Sequence, residues 1–225
     1  MWIWILYACR PEPIERPTQE WDSAWIDSSI TEKEGPDPYV EGEKRLSLGI
    51  FYEGGFSHEI PIDDVFSSFY IWVVEGTSTP TYSNVTTTDC VEGRYADKLM
   101  AMDAGWFGGG LSWSTPTDLS QWKTMHISIK ADDDAFSFFQ IGRGGVYKNG
   151  GSCTGSGFRQ NWIYLSNYGF EPDGTWHHLS IPLFDLSICL DSTQITEPLS
   201  LLIAGLSSDD AGKSVYIDNI YLTEE

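Results

Sequence analysis

From about residue 45 onward this chain reads as short runs of alternating apolar and polar residues, each cut off by Gly, Pro, Asn or Asp. A period of two sends alternate side chains to opposite faces of a strand. A helix needs apolar positions three and four apart, and no segment keeps that spacing. The runs fall at 46–52, 68–75, 98–102, 109–114, 125–130, 136–142, 160–166, 177–183, 199–205 and 214–222. An α/β architecture would need crossover helices between its strands. The expectation is therefore all-β: a two-sheet antiparallel β-sandwich of the jelly-roll kind.

Composition bounds the organisation. With 225 residues, 14% aromatic and 20% charged, the chain can bury one good core, and a sandwich of that size is commonly a single domain. The domain is expected over 46–225. Before it, Pro11, Pro13, Pro17, Pro36 and Pro38 alternate with Glu12, Glu15, Glu20, Glu32, Glu34, Glu41 and Glu43. Such a stretch cannot build a core and reads as a tether over 10–45. The first nine residues, MWIWILYAC, are apolar and end in Leu-Tyr-Ala-Cys. That ending resembles the lipidation box of bacterial lipoprotein signals, which would make Cys9 an acylated anchor and the location extracellular or cell-surface. The net charge of −20 disfavours nucleic acid and anionic lipid and leaves a neutral, cationic or metal partner.

Six motifs stand in a characteristic order: FYIWVVEG (69–76), CVEGRYADKLMA (90–101) leading into GWFGGGLSW (105–113), DLSQWKTMHISIK (118–130), GTWHHLSIPLFDL (174–186) and VYIDNIYL (215–222). Together they resemble carbohydrate-binding modules built on the galactose-binding-like β-sandwich, over roughly Phe69 to Leu222. The resemblance implies glycan binding on a concave sheet face or in end loops, without catalysis. A monomer is the expected state. It also implies a structural calcium ion, with Asp218 as a ligand and Glu92 or Glu75 as its carboxylate partner. The Asp132, Asp133, Asp134 run lacks the glycine and terminal glutamate of a helix-loop-helix calcium loop and reads as a solvated turn.

Parity supplies an independent indication. In 160–166, Ile163 and Leu165 take one face, while Gln160, Trp162, Tyr164 and Ser166 take the other, so two large aromatics leave the core side together. Met125, Ile127 and Ile129 likewise alternate with His126, Ser128 and Lys130. Aromatic rings stack on the C–H faces of pyranoses while polar groups bond the hydroxyls. Trp162 and Tyr164 are thus the expected stacking residues of a groove for a poly- or oligosaccharide, with Gln160, His126, Lys130 and Arg143 as hydroxyl contacts. The competing expectation buries these rings under a long loop. Trp106, before the glycine triple Gly108–Gly110, would stand at a binding rim, whereas Trp113, Trp122 and Trp176 belong to the core and its ends. In the last strand Val215 and Ile217 keep one register and Ile220 and Leu222 the other, which a bulge at Asp218–Asn219 would reconcile.

No nucleophile elbow, metalloprotease helix, phosphate loop or dinucleotide fingerprint occurs. The segment from Gly142 to Phe158, rich in glycine, reads as an exposed loop. A glycosidase pair drawn from Glu75, Asp89, Glu92, Asp97 and Asp103 stays open as the enzymatic alternative, and a protein-binding adhesion domain as the other. Cys9, Cys90, Cys153 and Cys189 lack the close spacing of zinc or redox motifs. With Cys9 acylated, three thiols remain for one disulfide and one odd cysteine, and the pairing is open.

Overall fold

The structure is a computed structural model and describes residues 47–52, 55–56, 67–73, 82–91, 96–131 and 136–224. The expected leader (1–9) and tether (10–45), together with Glu75 and Glu92, lie outside the described residues. The strands are β1 (Ser47–Tyr52), β2 (Gly55–Phe56), β3 (Ser67–Val73), β4 (Tyr82–Thr87), β5 (Ala96–Ala101), β6 (Gly105–Trp113), β7 (Thr124–Ala131), β8 (Phe139–Tyr147), β9 (Phe158–Tyr164), β10 (His177–Pro182), β11 (Leu190–Leu206) and β12 (Ser214–Thr223). One helical turn, α1 (Leu183–Leu186), joins β10 to the approach of β11.

Every described pairing is antiparallel, and the strands form two sheets. The first has the order β3-β6-β11-β8-β9. The second runs β10-β7-β12, after which β12 changes partner along its length: Ser214–Ile217 pair with β5, and Ile220–Thr223 with β1. The exchange occurs at Asp218–Asn219, where the register against β7 slips. Asn219 takes a left-handed φ of 48°, a conformation Asn tolerates better than most residues. The parity break in VYIDNIYL is this bulge, and it lets Ile217 and Ile220 both reach the core.

The core lies between the sheets. Phe107, Leu111 and Trp113 of β6, Phe139 and Ile141 of β8, and Leu199, Leu201 and Ile203 of β11 face Met125, Ile127 and Ile129 of β7, Leu179 and Ile181 of β10, and the aliphatics of β12. Each such side chain contributes about 1.5–3 kcal/mol by leaving water. Trp122 closes one edge of this core; Trp176 is half-buried, its indole N–H donating to Asp89.

Three elements differ from the sequence expectation. β8 continues to Tyr147, so Gly142, Arg143, Gly144 and Gly145 are strand and not loop. β11 begins at Leu190, well before Leu199, and carries register shifts around Pro198, because proline cannot donate to a ladder and demands such irregularity. β9 ends at Tyr164, and Leu165–Tyr168 form a 3₁₀ turn capped by Gly169 at φ 90°. A disulfide joins Cys153 to Cys189, and Cys90 is buried.

Candidate functional site

The outward face of the five-stranded sheet is built in register rows. Gly108, Leu202, Gln140 and Tyr164 stand opposite one another across four of its strands. The next row holds Gly110, Ser200, Gly142 and Trp162, and a shorter third row holds Glu197, Gly144 and Gln160. In the second of these rows the middle strands carry only small residues, Gly110, Ser200 and Gly142, on the side away from the buried Phe139, Ile141, Leu199 and Leu201.

The glycines leave room for the rings and for the neighbouring strand. A Cβ built on Gly142 would come 2.7 Å from the Asn161 carbonyl oxygen and 2.8 Å from Cε3 of Trp162, and one on Gly144 would come 2.7 Å from Cζ of Phe158 and 2.8 Å from Oε2 of Glu197. A side chain at either position would displace the ring together with these neighbours. The aromatics of β9 are therefore laid against the backbone of β8 instead of standing up as walls. The result is a platform where a groove was expected.

Its exposure fits a contact surface. Tyr164 is 44% and Trp106 37% exposed, so neither is sealed under a loop. Phe138, Val146 and Phe158 are further exposed apolar side chains on or beside the same strands, with the Phe138 ring close to Gly205. Exposed apolar residues gathered on one face mark an interaction surface more often than scattered ones do.

A polar group is set among these rings. The amide nitrogen of Gln160 donates to Oε2 of Glu197 and, at 3.5 Å, to Oγ of Ser200. Glu197 is 5% exposed. With both amide hydrogens directed at the sheet, the Gln160 carbonyl oxygen is the acceptor left to a ligand. Glu197, Ser200, Phe158 and the two glycines were not singled out from sequence. The alternation of glycine with larger residues in Gly142–Gly144 was the available signal, since period two marks a strand even when one face is glycine.

Three residues expected at the site lie elsewhere. Arg143 is on β8 but shares the parity of Phe139 and Ile141, and it is 1% exposed. Its Nη1 donates to Oγ of Ser187 at 3.2 Å, while Nε and Nη2 have no hydrogen-bond partner among the described residues. Burial pulls its guanidinium down to about 9, since a low-dielectric interior disfavours the charged form. It cannot touch a ligand on the platform.

His126 and Lys130 face outward, as their parity required, but from β7 in the opposite sheet. His126 stacks on Tyr221 at 4.5 Å and bonds Thr223 and Ser180 through its two ring nitrogens. His178 stacks beside them and bonds Ser128 and Tyr221, and burial lowers its pKa. Lys130 pairs with Asp89 and lies 4.2 Å from the centre of the Tyr216 ring. The sandwich core separates this cluster from Trp162 and Tyr164.

Asp218 is fully buried at the bulge. Its Oδ2 accepts the Val91 N–H at 2.6 Å and its Oδ1 the Asn219 N–H at 2.7 Å. Backbone donors thus occupy both oxygens, which suits a carboxylate that holds the bulge in shape. Among the described residues no group of three or more His, Cys, Asp or Glu gathers in a way that would hold a metal ion. Taken alone, the described residues do not make a calcium cage.

Comparison with known proteins agrees with this architecture. The family model for carbohydrate binding domain 30 matches residues 60–224. No curated protein matches. Among solved structures, a family 30 carbohydrate-binding module aligns with a TM-score of 0.52 and 20% identity, covering 80% of this chain and 88% of that one. The family 30 module of a cellulosomal cellulase of Clostridium thermocellum aligns with a TM-score of 0.52 and 19% identity, over 80% of this chain and 98% of that one. These structures share the fold. The family match spans most of the chain, and the chain belongs to the carbohydrate binding domain 30 family, whose domains bind carbohydrate without catalysis.

Proposed function

We propose that the five-stranded face holds an extended, neutral polysaccharide, with Trp162 and Tyr164 stacking on sugar rings and Gln160 accepting a hydroxyl. Trp106 borders the same face. The supporting observation is the seating of the Trp162 ring on Gly142 beside an exposed Tyr164. Flat rings presented at fixed height suit pyranose faces, and a polar atom locked between them confers orientation. The net charge of −20 repels polyuronates and nucleic acid and leaves neutral glycans favoured.

The neighbouring module of a cellulosomal cellulase makes soluble β-glucans the first probe. Electrophoresis through gels containing such glucans should retard the module, with no reducing sugar released. Trp162→Ala should remove the retardation while the protein stays folded by circular dichroism. Unretarded migration of the wild type across a panel of neutral glycans would overturn the proposal.

Export as a monomer, with lipid attachment at Cys9, belongs to the same proposal. It is supported by the leader-like block and by the Cys153–Cys189 disulfide, a bond typical of oxidising compartments. Calcium binding at Asp218, with Glu92 or Glu75, also remains a proposal. It requires the melting temperature to fall on chelation and recover with added ion.

A further inference from the structure

Phe158, which pairs with Val146, leans its ring diagonally over Gly144, with Cζ 2.7 Å and Cε2 3.0 Å from the place a Cβ would take, beside Oε2 of Glu197 at 2.8 Å; the indole of Trp162 lies over its own partner Gly142. Yet Phe158 is 54% exposed. One part of the ring is pressed on the sheet and the rest is open to solvent. A phenylalanine in that state gains little from the core and keeps an apolar surface in water, which is costly unless something covers it.

The two seats are two residues apart on one strand, so their centres are about 7 Å apart. Between the rings stands Gln160, held by Glu197 and Ser200. Ring, fixed acceptor and ring thus follow one another along β9.

Building on the carbohydrate-binding reading of this face, we propose that Phe158 is a second stacking subsite, continuous with Trp162. The preferred ligand is then a linear oligosaccharide, lying along β9 and long enough to cover both rings. A single sugar on Trp162 would leave Phe158 uncovered, so affinity should climb with chain length until both seats are filled.

Isothermal titration with glucose and with β-1,4-linked gluco-oligosaccharides from the dimer to the hexamer tests this. The wild type should gain about tenfold or more in affinity along the series, the size of one well-seated aromatic contact. Phe158→Ala should lose that gain for the long ligands and keep the affinity for the shortest. Phe158→Tyr, which preserves the ring, should restore it. If Phe158→Ala follows the wild type at every length, the second subsite is overturned while the Trp162 platform stands. If the wild type binds no member of the series and no neutral polysaccharide, the glycan reading of the face falls, and this subsite with it.

Discussion

Trp162 and Gly142 face each other across β9 and β8, and the indole sits where a Cβ at Gly142 would have to be, 2.8 Å from Cε3. The height and tilt of the Trp162 ring are thereby set in part by the lack of a side chain on the neighbouring strand. In the proposed site, the glycine seat counts as much as the ring that rests on it.

Gly142→Ala should accordingly act as a binding mutation although position 142 offers a ligand no side chain. The methyl would press on the Asn161 carbonyl of β9 as well as on the indole, displacing the ring from the sheet, and overpacking of this kind costs about 1–3 kcal/mol of stability. Glucan affinity should fall by roughly tenfold or more, as for loss of a well-packed aromatic contact. Titration calorimetry and thermal melting on the same sample measure both effects, and unchanged affinity would show that the seat does not position the ring.

His126 and Lys130 provide the complementary case. They belong to the opposite sheet, so His126→Ala and Lys130→Met should leave glucan affinity at the wild-type value. Lys130→Met should still lower stability by about 1 kcal/mol, because the ammonium lies 4.2 Å from the Tyr216 ring centre and pairs with Asp89. A loss of affinity without a loss of stability would return these residues to the binding surface.

What the sequence disclosed follows from what is local. The parity of Ile163 against Trp162 and Tyr164 is a property of one strand, as is the register slip at Asp218–Asn219, and both could be read directly. That β7 and β9 lie in different sheets depends on pairings between residues far apart in the chain, so the outward parity of His126 was legible and its distance from Trp162 was not. Arg143 was misplaced for a different reason. Glycine is depleted in strands, so Gly142–Gly145 looked like a loop, and the parity that sends Arg143 inward beside Ile141 went unread. Pro198 likewise hid the first half of β11.

The Cys153–Cys189 disulfide ties the connection between β8 and β9 to the residue just before β11. The closing cysteines are 36 residues apart in sequence, a loop whose closure is worth roughly 4 kcal/mol by chain entropy. Reduction, or Cys189→Ser, should therefore lower the melting temperature clearly. Below the new transition the platform should still bind, because the rings rest on the strand pairing of β8 with β9. Melting and gel retardation with and without reductant check this, and loss of binding by still-folded reduced protein would contradict it.

Arg143 provides the sharpest test of the fold's energetics. A guanidinium this deep, with Ser187 its one hydrogen-bond partner among the described residues, opposes folding because the charged form loses its hydration. Its folded value of about 9 lies below the usual 12.5. Between those values the unfolded chain binds the proton that the folded protein has released, so stability rises with pH there. Below about pH 9 the full penalty applies, on the order of a few kcal/mol. Arg143→Met should hence melt at or above the wild-type temperature at neutral pH and bind glucan normally. The difference between the two proteins should shrink as pH rises through 9 toward 12. A variant that melts well below the wild type at neutral pH would mean that the buried charge is a net support of the fold.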